Sequence, residues 1–170
     1  DPRVTNVNSA LYEAASNGDI EIVKLLLPRA TDVNAALYWA ASNGRIEIVK
    51  LLLPRATNVD GALYRAVYRG RVEIVKFLLS DPRVTDVNDA LSQAAYRGRV
   101  EIVKLLLSDP RVTNVNEALY LAAMYDQIEI VKLLLPRATD VDRALVEAAS
   151  YGHIEIVKLL EDWKRQHGQA

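Results

Sequence analysis

The residues with the chemistry of an acid and a base recur together along the chain. Glu-Ile-Val-Lys begins at Glu21, Glu47, Glu73, Glu101, Glu129 and Glu155. A carboxylate and an amine three residues apart share one helical face and can pair. In a single cleft such a couple could move a proton. Six copies at one framework position serve helix capping and packing instead. His153 and His167 are the side chains that titrate near neutrality. His153 stands at a helix start where the residue changes from copy to copy, and His167 lies in the tail, so both read as surface residues. The sequence holds no phosphate-cradling glycine loop, His-x-x-x-His pair or evident Ser/His/Asp set. Its lack of cysteine removes disulfides, thiolate metal sites and cysteine nucleophiles. No catalysis, metal or cofactor is expected.

The elements that carry these residues form a repeat. Ala-Leu recurs at Ala10, Ala36, Ala62, Ala90, Ala118 and Ala144, at intervals of 26, 26, 28, 28 and 26 residues. The two lengths come from two linkers. Pro-Arg-Ala-Thr starts at Pro28, Pro54 and Pro136, and Ser-Asp-Pro-Arg-Val-Thr starts at Ser80 and Ser108. Each unit reads as two short helices. The first is expected to begin after Asn8, Asn34, Asp60, Asn88, Asn116 or Asp142, residue types that cap helix N-termini. It should stop at Gly18, Gly44, Gly70, Gly98 or Gly152, in a left-handed closure. Asp126 holds the place of this glycine in the fifth unit. The second helix is Ile-Glu-Ile-Val-Lys-Leu-Leu-Leu or a near variant, with its Glu at the positive end of the helix dipole and a linker proline to end it. Helices this short do not stand alone. The second is apolar around most of its circumference, so neighbouring units must cover it. The last unit replaces the third Leu with Glu161 and continues Asp162, Trp163, Lys164, Arg165, a polar end sealed by one aromatic. The first unit has no comparable polar cap.

Ala-Ala-x-x-Gly-x-x-Glu-Ile-Val-Lys-Leu-Leu-Leu followed by Asp-Val-Asn, as in Ala14 to Leu27 and then Asp32-Val33-Asn34, resembles the ankyrin repeat. The resemblance covers essentially the whole chain, six times over. It implies antiparallel helix pairs stacked into a solenoid that recognises proteins without cofactor or catalysis. Ankyrin repeats usually run 33 residues. The residues missing here lie between Val-Asn and Ala-Leu, where the family places its β-hairpin finger. Tyr12 stands where the family has His. The fingers are therefore expected to be absent or reduced to a turn, leaving the first helices and the helix–helix turns as the available surface.

Variation between units concentrates there. One column reads Glu13, Trp39, Arg65, Gln93, Leu121 and Glu147. Two positions before the turn read Ser16-Asn17, Ser42-Asn43, Tyr68-Arg69, Tyr96-Arg97, Met124-Tyr125 and Ser150-Tyr151. The position after it reads Asp19, Arg45, Arg71, Arg99, Gln127 and His153. Unconstrained surface would vary too, but the exposed Glu and Lys columns do not. Trp, Tyr and Arg are the residue types of contact surfaces. The expected partner-binding residues are Trp39, Arg45, Arg65, Tyr68, Arg69, Arg71, Tyr96, Arg97, Arg99, Leu121, Met124 and Tyr125. Arginines beside aromatics suit an acidic protein segment. A net charge of −1 and the flanking Glu13, Asp19 and Glu147 argue against a nucleic-acid groove.

The sequence thus reads as one all-α domain over 1–170, a right-handed α-solenoid of six helix-turn-helix repeats at 8–33, 34–59, 60–87, 88–115, 116–141 and 142–170. Its expected function is a non-catalytic scaffold binding a protein or peptide, without membrane insertion. It is expected to be cytoplasmic and monomeric, with end-to-end stacking open through the first unit. Near-identity of the framework points to an engineered scaffold. The alternatives are a natural intracellular adaptor and a ligand-free structural design. The missing initiator Met is read as processing or trimming.

Overall fold

A computed structural model of the chain describes residues 2–168. Among these, the backbone forms twelve α-helices, three short 3-10 turns and no strand. Packing divides the chain into two compact units, Asp1–Thr85 and Asp86–Ala170. The first holds the pairs α1 (Pro2–Asn17) and α2 (Ile20–Leu26), α3 (Asn34–Ser42) and α4 (Ile46–Leu52), and α5 (Val59–Arg69) and α6 (Val72–Leu79). The second holds α7 (Val87–Tyr96) and α8 (Val100–Leu107), α9 (Asn116–Met124) and α10 (Ile128–Leu134), and α11 (Asp142–Ser150) and α12 (Ile154–Gln166). Within the first unit α1 packs on α3 and α3 on α5, with α2 on α4 and α4 on α6 behind them. The second unit repeats this with α7, α9 and α11 and with α8, α10 and α12. Ala40, Ala41, Ala66, Ala94, Ala95, Ala122 and Ala123 are fully buried, small enough to let first helices approach closely. Val23, Val49, Val75, Val103 and Val131 are equally buried in the second helices. The connections between pairs contain no strand, so the fingers are absent, as expected.

The turn inside each pair closes the same way six times. The amide after the turn residue donates back to an alanine carbonyl five residues earlier, as in Asp19 to Ala14 (2.9 Å) and Arg71 to Ala66 (2.8 Å). This ring needs a left-handed residue, and Gly18 (φ +88°) and Gly44 (φ +76°) supply it without steric cost. Asp126 adopts the same conformation at φ +57°, which Asp tolerates better than most side chains.

Two expectations need correction. α1 begins at Pro2, six residues ahead of Asn8; proline suits the first turn of a helix, where its missing N–H is not needed. The Asn/Asp column also does not cap its own helices. Asn34, Asn116 and Asp142 are first helical residues, and α5 is capped from Asn58, whose Oδ1 accepts from the Gly61 amide at 2.9 Å. The column reaches forward to the next repeat instead. Asn34 Oδ1 accepts from the amides of Thr57 (2.9 Å) and Asn58 (3.1 Å), while its Nδ2 donates to Thr57 Oγ1 (2.7 Å). Asn8 braces Thr31 in this way, Asn88 braces Thr113, and Asn116 braces Thr139. Asp60 keeps the acceptor half, taking the Thr85 amide at 2.9 Å and the Thr85 hydroxyl at 2.8 Å. An amide side chain carries acceptor and donor together, which is why Asn dominates the column. Acceptors two residues earlier satisfy the helix start: Asp32, Asn114 and Asp140 each take the amide of residue i+2 at 2.9 Å.

The linker arginines tie repeats together from the other side. Arg55 donates to the carbonyls of Leu27 and Ala30, Arg83 to those of Leu53 (2.9 Å) and Ala56 (2.6 Å), and Arg137 to those of Leu107 (2.8 Å) and Val112 (2.7 Å). Each binds carbonyls at the end of a second helix and in the linker that follows it. In the long linkers Asp81 and Asp109 aim Arg83 and Arg111 through two-point ion pairs. Arg111 beside it holds the Asp109 carboxyl below the usual carboxylate range. At the C-terminal end Trp163 takes over: its indole N–H donates to Leu135 O at 3.1 Å, and its ring is buried.

Asn116→Ala should lower unfolding free energy by ~1–2 kcal/mol, because it removes three bonds to the next repeat at a partly exposed site. Asn116→Asp should lose less than half of that, since Asp60 shows that a carboxylate in this column still accepts from the next repeat's threonine amide and hydroxyl. Urea denaturation of the three proteins measures both. Equal losses would mean that the amide's acceptor bonds contribute nothing.

Candidate functional site

The surface of interest is built on the outer ends of the first helices and on the turns. In the first unit, Tyr12, Tyr38 and Tyr64 stand at matching positions of α1, α3 and α5. Trp39 meets Tyr12 edge-on at 6.3 Å and Tyr38 at 5.4 Å. Arg65 enters this group from the next repeat. Its guanidinium lies 5.0 Å from the Tyr38 ring, 5.1 Å from Trp39 and 5.1 Å from Tyr68. One Arg65 N–H donates to Ser42 Oγ at 3.2 Å, and Ser42 is fully buried. Tyr68 lies beside Tyr64 at 6.3 Å. Trp39, Arg65 and Tyr68, which the sequence singles out, are therefore brought together with Ser42 of the variable columns, along with Tyr38 and Tyr12, which it does not single out.

The arginines around this cluster differ in freedom. Arg69 is exposed at the end of α5. Arg71 donates from Nε to the Ser42 carbonyl at 3.0 Å and spreads over the turn of the preceding repeat, where a Cβ on Gly44 would lie 3.3 Å from its guanidinium. Arg45, though exposed, covers Gly18 the same way; a Cβ there would come within 2.9 Å. The column after the turn thus faces outward and also bridges repeats. A glycine in the preceding turn is needed twice, for its positive φ and for this close approach.

The second unit places its own group. Tyr96 and Tyr125 meet edge-to-face at 4.8 Å, and the Arg97 guanidinium lies 5.2 Å from the Tyr96 ring. Both tyrosines are exposed. Partial desolvation, then the neighbouring phenols of Tyr96 and Tyr151, hold the Tyr125 phenol above its ordinary pKa. Leu121 and Met124 are half-buried, as is Arg99. Tyr151 stacks on His153 at 5.9 Å, and the His153 Nδ1–H donates to the Ala123 carbonyl at 2.9 Å. Arg143 lies 4.2 Å above the Tyr120 ring and pairs with Glu117 at 2.9 Å. Sequence reasoning passed over Tyr38, Tyr120 and Arg143. Tyr occupies that column in four of six repeats, which made it look like framework.

Among the described residues no three His, Asp or Glu side chains converge as metal ligands. Four Glu–Lys couples, Lys24–Glu21, Lys50–Glu47, Lys104–Glu101 and Lys132–Glu129, are exposed ion pairs at 3.3–3.6 Å. Pairs of this kind stabilise a helix by only a few tenths of a kcal/mol, about 0.3–0.5. No described helix is long and apolar enough to cross a membrane.

The sequence profile of ankyrin repeats, three copies long, matches residues 11–90 and again residues 91–167. Among solved structures, the human ASB11 ankyrin repeat domain is similar, with 26% identity and a TM-score of 0.72, over 90% of this chain and 82% of that one. No curated protein matches in sequence.

Arg65→Ala should cost ~1–2 kcal/mol, since a partly desolvated cation–π contact contributes about that much, and it should shift Trp39 fluorescence. Arg69→Ala should stay within ~0.5 kcal/mol, as exposed substitutions do. Chemical denaturation followed by tryptophan emission separates the two. An unperturbed emission spectrum in Arg65→Ala would dismiss the contact with Trp39.

Proposed function

Because the chain belongs to the ankyrin repeat family, whose members generally bind proteins, we propose that it recognises an acidic protein segment on the first unit's aromatic–arginine surface. The observation that carries this is Arg65 held among Tyr38, Trp39 and Tyr68. Fixed aromatics give contact area at little entropic cost. A cation whose geometry is set in advance loses little freedom when a carboxylate docks. Arg69 and Arg45 stand exposed nearby to extend the match along a peptide. Trp39 and Tyr68 are the anchors, and Arg45, Arg65, Arg69 and Arg71 read the charge. Tyr96, Arg97, Arg99, Leu121, Met124 and Tyr125 form a second contact group of more apolar character on the second unit. The role is non-catalytic. The cysteine-free composition suits a reducing, cytoplasmic setting. Framework near-identity favours a scaffold assembled from copies of one unit by engineering, with recent natural duplication as the other route.

Selection of a random peptide display library on the purified protein tests this. Enriched peptides should carry Asp and Glu, bind more weakly as salt rises, and lose about tenfold or more in affinity with Trp39→Ala or with Arg45→Ala/Arg69→Ala. Enrichment of uncharged peptides that ignore these substitutions would move recognition off the first unit.

A further inference from the structure

We propose that the face of the first helix pair carrying Ile22 and Leu25 is a docking surface for one more helix pair of this chain's own kind, joined through residues 1–8. Ile22 is 47% exposed, whereas its counterparts Ile48, Ile74, Ile102, Ile130 and Ile156 are 0–2% exposed. Leu25 is 75% exposed, where Leu51, Phe77, Leu105, Leu133 and Leu159 are half-buried. Within each unit a second helix is covered on that side by the second helix before it, as α2 covers α4, α4 covers α6, α8 covers α10 and α10 covers α12. The first pair therefore presents the apolar half of an interface that the molecule itself uses repeatedly.

The occupant is indicated by the residues leading into this pair. Residues 1–8, Asp-Pro-Arg-Val-Thr-Asn-Val-Asn, are identical to residues 109–116. At 109–115 this sequence runs as a non-helical linker between α8 and α9, with Val112 and Val115 buried and Asp109 clamping Arg111. At the start of the chain the same residues from Pro2 onward are wound into α1. One sequence thus takes two conformations, and the linker form is the one found where a helix pair precedes it. A second copy docking end to end is a poorer occupant. The last pair exposes Val146 and Ile154, but its α12 also carries exposed Glu161 and Asp162 and closes on Trp163, so it would bring carboxylates to an apolar face.

The test inserts a duplicate of residues 88–108 directly before Asp1, which recreates the Ser108–Asp109 junction residue for residue. The extended protein should unfold in one transition, with its midpoint raised by about 5 °C or more. Backbone chemical shifts of residues 3–7 should lose their helical values. Ile22→Glu should move the midpoint by only about 1–2 °C in the unextended chain and by about 5 °C or more in the extended one, because only there is the side chain enclosed. A duplicate that unfolds separately or stays unfolded, with the original midpoint and the residue 3–7 helix unchanged, would overturn the proposal. So would a dimer of the unextended chain, seen by light scattering and abolished by Ile22→Glu, which would give the face to a second copy.

Discussion

The bracing, within each unit, of one helix pair by an asparagine from the pair before it is the interaction on which the rest depends. A seven-residue helix such as α4 cannot hold its shape in water alone. Burial supplies the energy, but apolar contact does not by itself set how far one pair slides along the next. The Asn34 amide, fixed to the Thr57 amide and hydroxyl, sets that register at one edge. Arg55 on the carbonyls of Leu27 and Ala30 sets it at another. Two polar ties flanking an apolar seam leave the repeats one arrangement within each unit.

The surface inherits its order from that seam. Arg65 can reach Tyr38, Trp39 and Ser42 only because α5 is seated at a fixed height against α3. Arg71 illustrates the overlap between holding and presenting, since its Nε bonds the Ser42 carbonyl while its column faces outward. Residues in such a column are constrained by the neighbour they cover as well as by anything they might contact.

Much of this was legible in the sequence, and what was missed has physical causes. The helix pairs, left-handed turns and sealing role of Trp163 follow from periodicity, glycine spacing and composition, all local signals, and the absent fingers from the shortfall of these units against the ankyrin repeat they resemble. The role of Asn34 was misjudged because Asn before an apolar run has two uses, capping its own helix or bridging to another chain segment. Only the distance to Thr57, 23 residues on, decides between them. The start of α1 was misplaced because Asn8, like the other residues of that column, reads as its cap, whereas Pro2 suits a first helical turn. Within the site, Trp39, Arg65 and Tyr68 stood out by their variation. Tyr38 did not, since a residue nearly constant across repeats carries no contrast, although its ring completes the group around Arg65.

The turn at Asp126 sets the fifth repeat apart in time as well as in energy. Every other such turn rests on a glycine, whereas Asp126 holds φ at +57° against the steric preference of its Cβ. That preference amounts to ~1 kcal/mol for a residue of this type, or about a fivefold larger share of open conformers for the α9–α10 corner. Breathing in this chain accordingly has a preferred origin. A backbone amide at that corner is expected to exchange with solvent sooner than its counterparts at the glycine turns.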